Sequence, residues 1–373
     1  MKKIVTLMVS FFLVLPSLLA QENTKKWYSN INFSGYVMTQ YQYSNQDNNN
    51  ANSFNIRMAR MSLDGRIASD FYWKTQIQIN GNTSTLGQSP RVVDLFVEWQ
   101  KYDFFKVKAG EFKRPFTFEN PMNPIDQGFM AYSQVVNKLS GFSDRVGEHA
   151  SNGRDIGVQI QGDLLKNAKR RNLLHYQIGV FNGQGINVKD VDQRKDLIGG
   201  IWIMPITGMR IGAFGWTGTY ARKGSWKNEN GQQESGVRSL DKNRYALSLE
   251  YKKYDWTFRT EYIHSTGASF ATSYDTKADL QNADINTKNG DKADGFYALM
   301  IAPILKKKLY VKTRYDLYKP SKIWNNSRTQ YEIGANYLFN KNVQINAEYA
   351  LINDRSLSKS NYDIFDVQLD FRF

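Results

Sequence analysis

Apolar and polar residues alternate with a period of two in about sixteen runs, from Ile31 to Phe373. Period two is typical of β-strands with one apolar and one polar face. The connections are alternately short, as at Ser69-Asp70, and long, as at Glu111–Gly153. Bacterial outer-membrane barrels have an even strand number, short periplasmic turns and long external loops. The pattern therefore predicts an all-β fold, a transmembrane antiparallel β-barrel of about sixteen strands with both termini periplasmic.

Several runs depart from simple alternation. The second run changes parity near Ala59, which predicts a β-bulge. The runs Asp196–Pro205, Met209–Tyr220 and Phe296–Ala302 alternate poorly, and Ala221–Asn243 is expected to be a long external connection.

The N-terminus has the form of a secretory signal peptide. Lys2 and Lys3 precede the apolar run Ile4–Leu15, and the small residue Ala20 marks the expected cleavage point. A membrane anchor is the alternative, but a spanning helix needs about 20 apolar residues. We therefore expect a signal peptide over residues 1–20, a single barrel domain over residues 21–373, and localisation in the cell outer membrane.

The last predicted strand has phenylalanines at alternate positions at its end. Phe371 and Phe373 share one parity, with Asp370 and Arg372 on the other. A terminal Phe that closes such a strand resembles the sorting signal read by the outer-membrane barrel assembly machinery. Phe371 and Phe373 are therefore the predicted assembly signal, with that machinery and outer-membrane lipid as partners.

Charge and motifs limit the possible chemistry. The chain carries a net charge of +14 and no Cys. A basic chain suits nucleic acid, an anionic surface or anionic solutes, and export argues against nucleic acid. The three His residues are far apart in sequence, and no catalytic or phosphate-cradling motif is present. We predict no enzyme, no metal site and no cofactor, although a Ser-His-carboxylate site assembled across strands stays open.

The third long connection, Glu111–Gly153, is the predicted functional loop, because loops of this length are usually functional or disordered. We expect it to fold into the lumen and narrow the bore. The candidate anion path comprises Lys106, Lys108, Lys113 and Arg114, with Arg145, Arg259 and Arg314 as further candidates. Alternatively, the first four pair with Asp94, Glu98 or Glu111. Gly110 and Pro115 are expected to shape the loop, and Arg154 and Asp155 to pair or to orient its return.

Two motifs carry a resemblance to a known family. The segments Gly110-Glu111-Phe112-Lys113-Arg114-Pro115-Phe116 and Gly153-Arg154-Asp155-Ile156-Gly157-Val158-Gln159 resemble the phosphate-selective porin O and P family. The resemblance implies a trimeric sixteen-stranded porin with a constricting third loop, and a passive channel that passes small anions such as phosphate or polyphosphate. Basic and acidic residues of the lumen-facing parity nevertheless balance, which leaves open a general-diffusion or sugar-permeable porin without anion selectivity. An outer-membrane barrel enzyme and a soluble secreted sugar-binding β-protein are the remaining alternatives.

Overall fold

The structure, a computed structural model, describes residues 28–80, 90–145, 151–228, 230–270, 287–288 and 292–373. The expected signal peptide lies outside the described residues, so the division into signal peptide and barrel domain stays a prediction. Within the described ranges, no helix is long and apolar enough to cross a membrane.

Sixteen antiparallel strands form one closed barrel, in which β1 pairs with β2 on one side and with β16 on the other. This confirms the predicted fold class. The strands are β1 (Tyr28–Ser44), β2 (Ala51–Ile67), β3 (Phe71–Gln78), β4 (Arg91–Tyr102), β5 (Phe105–Lys113), β6 (Arg154–Lys166), β7 (Asn172–Phe181), β8 (Asp196–Ile203), β9 (Met209–Lys227), β10 (Gln233–Lys253), β11 (Trp256–Gly267), β12 (Ala293–Leu305), β13 (Leu309–Lys319), β14 (Arg328–Leu338), β15 (Val343–Asp354) and β16 (Asn361–Arg372).

Three small elements lie outside the barrel wall. A short helix, α1 (Gln134–Leu139), belongs to the third loop, and Trp324–Asn326 forms a 3-10 turn. Ser269–Phe270 pairs with Thr287–Lys288 in a two-stranded ribbon.

The two faces of the wall differ as the alternation predicts. On β14, Ile333 is 64% exposed on the outside, whereas its neighbour Glu332 is 6% exposed on the inside. The same alternation recurs on β10, where Leu247 is exposed and Ser248 is buried. Transmembrane strands of a barrel need such an apolar outer band against the hydrocarbon.

The barrel closes between its first and last strands. The backbone N–H of Gly35 donates to the Phe373 carbonyl at 2.9 Å, and the Phe373 N–H donates to the Gly35 carbonyl at 3.1 Å. The ring of Phe373 lies 5.6 Å from that of Phe33 on the outer face. The terminal residue is therefore part of the closing strand pair.

The predicted bulge in the second run is confirmed. Met38 pairs with Met58 whereas Thr39 pairs with Ile56, so Arg57 is the extra residue of β2.

The expected long connection Ala221–Asn243 is wrong, because β9 continues to Lys227 and β10 begins at Gln233. The register between them is continuous from Lys227 opposite Gln233 to Met209 opposite Tyr251. Alternation is a signal of one apolar face, and it fades in this hairpin because most residues between Arg222 and Ser239 are polar.

The three poorly alternating runs form strands β8, β9 and β12. Their inward positions carry apolar side chains that pack against the third loop, so both faces of these strands are apolar; these side chains are Ile198, Phe214, Trp216, Tyr297 and Leu299. A strand buried on two faces loses its period-two pattern.

We expect Phe373→Asp to reduce assembly of the barrel strongly, because it removes the ring contact with Phe33 at the closing strand pair. Phe339→Asp is the matched control, since Phe339 is an exposed aromatic residue in the turn after β14 and its ring contacts Tyr337 rather than a residue of β1. The measurement is the yield of heat-modifiable barrel on gels. Equal yields from the two variants would contradict a special role for Phe373.

Candidate functional site

The third loop, residues 114–153, connects β5 to β6, and its two ends are joined. The backbone N–H of Arg114 donates to the Gly153 carbonyl at 2.8 Å. The guanidinium of Arg114 pairs with Asp155 at 3.0 Å, and both side chains are fully buried. Gly153 has φ +71°, and a Cβ at this position would lie 1.9 Å from Asn120 Oδ1. Only glycine fits this junction without displacing the loop.

Carboxylates of the inner wall bind the backbone of the loop inside the barrel. Four loop N–H groups donate to three wall side chains: Phe118 and Glu119 to Glu261 at 2.6 and 3.1 Å, Met130 to Glu348 at 2.8 Å, and Gln134 to Asp316 at 2.6 Å. Buried backbone groups need such partners, because the loop forms little regular structure of its own.

Basic side chains of the wall bind the loop carbonyls in the same way. Four of them donate: Arg259 to Gln127 at 2.8 Å, Lys312 to Gly128 at 2.9 Å, Arg314 to Ala131 at 2.9 Å, and Arg244 to Leu139 at 2.9 Å. The described part of the loop therefore lies against the inner faces of β10, β11 and β13 to β15.

An apolar core fills the space between the loop and one side of the wall. Phe116 makes an edge-on contact with Trp216 at 5.5 Å, and Phe118 makes one with Phe214 at 5.4 Å. Val135 and Leu139 of α1 are fully buried in the same cluster. This part of the bore is occupied by protein, which narrows the lumen.

The loop's own ionisable groups are affected by its burial. Burial raises the pKa of Tyr132, whose hydroxyl accepts a hydrogen bond from Lys113 at 2.7 Å. Burial lowers the pKa of Lys138 in α1, and the nearby guanidinium of Arg328 lowers this pKa further. Lys138 and Arg328 line the lumen on the side of the loop that faces the long connections.

Most of the candidate anion-path residues serve the loop. Lys113 donates to the carbonyls of Asn120, at 2.8 Å, and of Met122. Arg114, Arg259 and Arg314 are buried and paired with Asp155, Glu250 and Glu332 respectively. Arg145 donates to the Gly267 carbonyl at 3.1 Å. A role in conducting anions stays a prediction for all five.

Lys106 and Lys108 remain at the lumen surface. Lys108 lies 3.9 Å from Glu98, one of the partners expected from the sequence. Lys106 lies 3.9 Å from Asp163, which the sequence reasoning did not consider. Glu111 instead accepts a hydrogen bond from the Asn187 N–H at 2.6 Å.

The residues predicted to shape the loop lie on β5, in the first residues of the loop and at the start of β6. Gly110 has φ +130°, and a Cβ there would lie 2.2 Å from the Leu95 carbonyl oxygen. Pro115 lies in a tight turn closed by the Phe116 N–H and the Arg114 carbonyl at 2.8 Å. Arg154 pairs with Asp94 at 2.7 Å, so it holds the start of β6 to β4.

The sequence reasoning missed a second buried anchor of the loop. Arg244 on β10 makes a two-pronged ion pair with Asp144 at 2.6 and 2.7 Å, and both side chains are fully buried. Parity places Arg244 on the inner face, but only the folded loop brings Asp144 to it. The candidate anion path also omitted Arg210 and Lys74, although Lys74 has lumen-facing parity. Among the described residues, no group of His, Asp and Glu side chains could hold a metal ion.

Part of the sequence and the fold resemble those of known porins. The sequence profile described as phosphate-selective porin O and P matches residues 31–183, which confirms the resemblance seen in the motifs over that part of the chain. No curated protein sequence is similar enough to match this chain.

Solved outer-membrane proteins share the fold at low identity. Salmonella typhi OmpF in complex with daunomycin has a TM-score of 0.63 at 13% identity, covering 95% of this chain and 100% of its own. The outer membrane channel DcaP of Acinetobacter baumannii has a TM-score of 0.60 at 13% identity, covering 95% of this chain and 100% of its own. OmpT of Vibrio cholerae in a trimer form has a TM-score of 0.56 at 13% identity, covering 92% of this chain and 99% of its own. The family match and the fold together support an outer-membrane porin channel.

We expect Arg244→Met to destabilise the barrel by about 3–5 kcal/mol, because the buried carboxylate of Asp144 loses its two-pronged partner. Loosening of the loop should also raise single-channel conductance. Arg194→Met is the matched control, since the pair of Arg194 with Asp241 is largely exposed and exposed pairs contribute little. Urea unfolding in lipid vesicles and single-channel recording measure the two effects. Equal stability of the two variants would contradict the anchoring role.

Proposed function

We propose that this chain is a passive channel for small hydrophilic solutes with a weak preference for anions such as phosphate. The observation that supports the preference is an arc of partly exposed basic side chains on the inner wall, on the side of the loop near the short turns. We call it the basic arc, and it comprises Lys74, Lys106, Lys108 and Arg210.

Each cation of the basic arc is more exposed than the carboxylate beside it. The side chains of Lys74, Lys108 and Arg210 are 21%, 19% and 29% exposed, whereas their partners Asp94, Glu98 and Glu250 are 6–8% exposed. The positive ends therefore lie nearer to the water of the lumen. Lys106 and Asp163 are almost equally exposed, at 25% and 22%. Charges at the surface of a narrow passage select between ions, and the nearby acids keep this selection weak.

The channel without anion selectivity is the second candidate, supported by the 3.9 Å separations in the three lysine pairs. Neutralising Lys113, Arg114, Arg259 or Arg314 would not separate the two candidates, because those cations hold the loop. The basic arc offers a cleaner test, since its lysines make no contact with the third loop backbone among the hydrogen bonds of the described residues.

The triple variant Lys74→Gln, Lys106→Gln, Lys108→Gln is expected to shift the reversal potential in a salt gradient toward cation preference. The matched control is Lys306→Gln, Lys307→Gln, Lys308→Gln, which removes the same charge from an exposed turn outside the lumen. A similar shift in both variants, or none in the first, would favour the unselective channel. Absence of conductance steps in the wild-type protein would contradict the channel itself.

We further propose export through a cleaved signal peptide, folding by the barrel assembly machinery into outer-membrane lipid, and a homotrimer. The trimer is supported by the family resemblance and by the trimeric form of the similar Vibrio cholerae protein. The proposal includes no catalysis: a hydrolytic activity lost on substitution of a single Ser or His would favour a barrel enzyme. Cross-linking in native membranes tests the trimer, and the absence of cross-linked dimers and trimers would contradict it.

A further inference from the structure

A cavity of about 250 Å³ lies beneath the third loop, on the side of the short turns. Its roof is the loop segment Pro124–Phe129, and its walls are the ends of β12 to β16 that lead to those turns. Pockets for drug-sized ligands measure about 300–1,000 Å³. This cavity is therefore suited to a smaller solute, of monosaccharide size.

The lining combines a polar wall with an apolar roof. Asn336, Gln344, Asn346 and Asp370 present amide and carboxylate groups on β14 to β16. Ile125 and Phe129 of the loop face the same space. A ring or chain that bears hydroxyl groups has both kinds of surface, since its O–H groups bond to amides and carboxylates while its C–H groups pack on apolar side chains.

The cations at the cavity already have partners. Lys312 Nζ lies 2.6 Å from Glu348, 2.9 Å from the Gly128 carbonyl and 3.1 Å from Asn346 Oδ1. These contacts use the three donors of an ammonium group. Arg372 pairs with Asp126 at 2.6 Å and donates to the Ile125 carbonyl at 2.9 Å. An anionic ligand would have to compete with these contacts.

Asp370 supplies a carboxylate oxygen to which no described residue donates a hydrogen bond. Its Oδ2 accepts from Gln344 at 2.7 Å and from Asn346 at 3.0 Å. The side chain of Gln368 also acts on this carboxylate, but no donor among the described residues lies within hydrogen-bond distance of the buried Oδ1, and Asp370 is 1% exposed. The guanidinium groups of Arg57 and Arg372 act electrostatically on this carboxylate. A hydroxyl group is a neutral donor that satisfies such an oxygen.

We propose that this cavity binds a neutral polyhydroxylated solute, a six-carbon polyol or a monosaccharide, as it passes through the channel. The inference rests on the proposed channel function and names a solute class for it. Binding in a conducting path must be weak enough to allow release, so we expect dissociation constants of about 1 mM or above.

The test compares three matched acyclic polyols: D-sorbitol, which is neutral, D-gluconate, which is an anion, and N-methyl-D-glucamine, which is a cation. Saturation-transfer NMR with the folded full-length protein in detergent measures binding directly. Polyol-induced block of single-channel current measures it in the membrane. D-sorbitol is expected to bind and to reduce the current, and the two charged polyols to bind at least about fivefold more weakly, because they disturb paired charges.

Two variants address the cavity. Asp370→Asn replaces a charge-assisted acceptor, and Gln344→Met removes an amide at nearly constant shape. Each should weaken D-sorbitol binding about fivefold, the effect of losing one hydrogen bond. The matched control is Gln42→Met, because Gln42 on β1 is a lumen glutamine that contacts Asp366 of β16 and does not line the cavity.

Heat-modifiability verifies that each variant has folded before it is measured. Wild-type protein that binds none of the three polyols, or binds a charged one more tightly than D-sorbitol, overturns the proposal. Equal weakening by Gln42→Met and Gln344→Met also overturns it. Binding in detergent together with absent channel steps would support the cavity and contradict the channel, so the two failures are distinguishable.

Discussion

Backbone N–H and C=O groups cannot be left without partners where water is excluded, and this constraint operates twice in the protein. In the wall it is met by pairing every strand with two neighbours, down to the reciprocal bonds between Gly35 and Phe373. In the lumen it applies to the third loop, whose described residues form one short helix. There the ionic side chains of the wall take the place of neighbouring strands.

The use of wall charges to hold the loop determines what remains for solutes. Arg244, Arg259, Lys312 and Arg314 each donate to a loop carbonyl. These residues contribute to the positive balance of the chain, yet a passing ion meets them as satisfied groups. Selectivity is then left to cations outside the loop contacts, such as the basic arc. The same arrangement creates the cavity beneath the loop, whose polar groups face a space that the loop covers but does not fill.

The fold was predictable because its signals are local. Alternation identifies strands such as β14, where Ile333 faces out and Glu332 faces in. The alternately short and long connections indicate that consecutive strands are antiparallel neighbours in a barrel. The signals failed where the environment differs from lipid on one side and water on the other. The extension of the β9–β10 hairpin consists mostly of polar residues, and β8 and β12 are apolar on both faces because the loop covers Ile198 and Leu299.

The sequence by itself determined the number of strands, the face that most of them turn to the lipid, the place of the long third loop along the chain and the inward parity of most charged residues. Only the tertiary structure decided which of those charges stay accessible. Met130 and Glu348, or Asp144 and Arg244, are far apart along the chain, and periodicity carries no information about such contacts. Lys106 and Lys113 therefore look alike in the sequence, whereas one lies at the lumen surface and the other is enclosed by the loop.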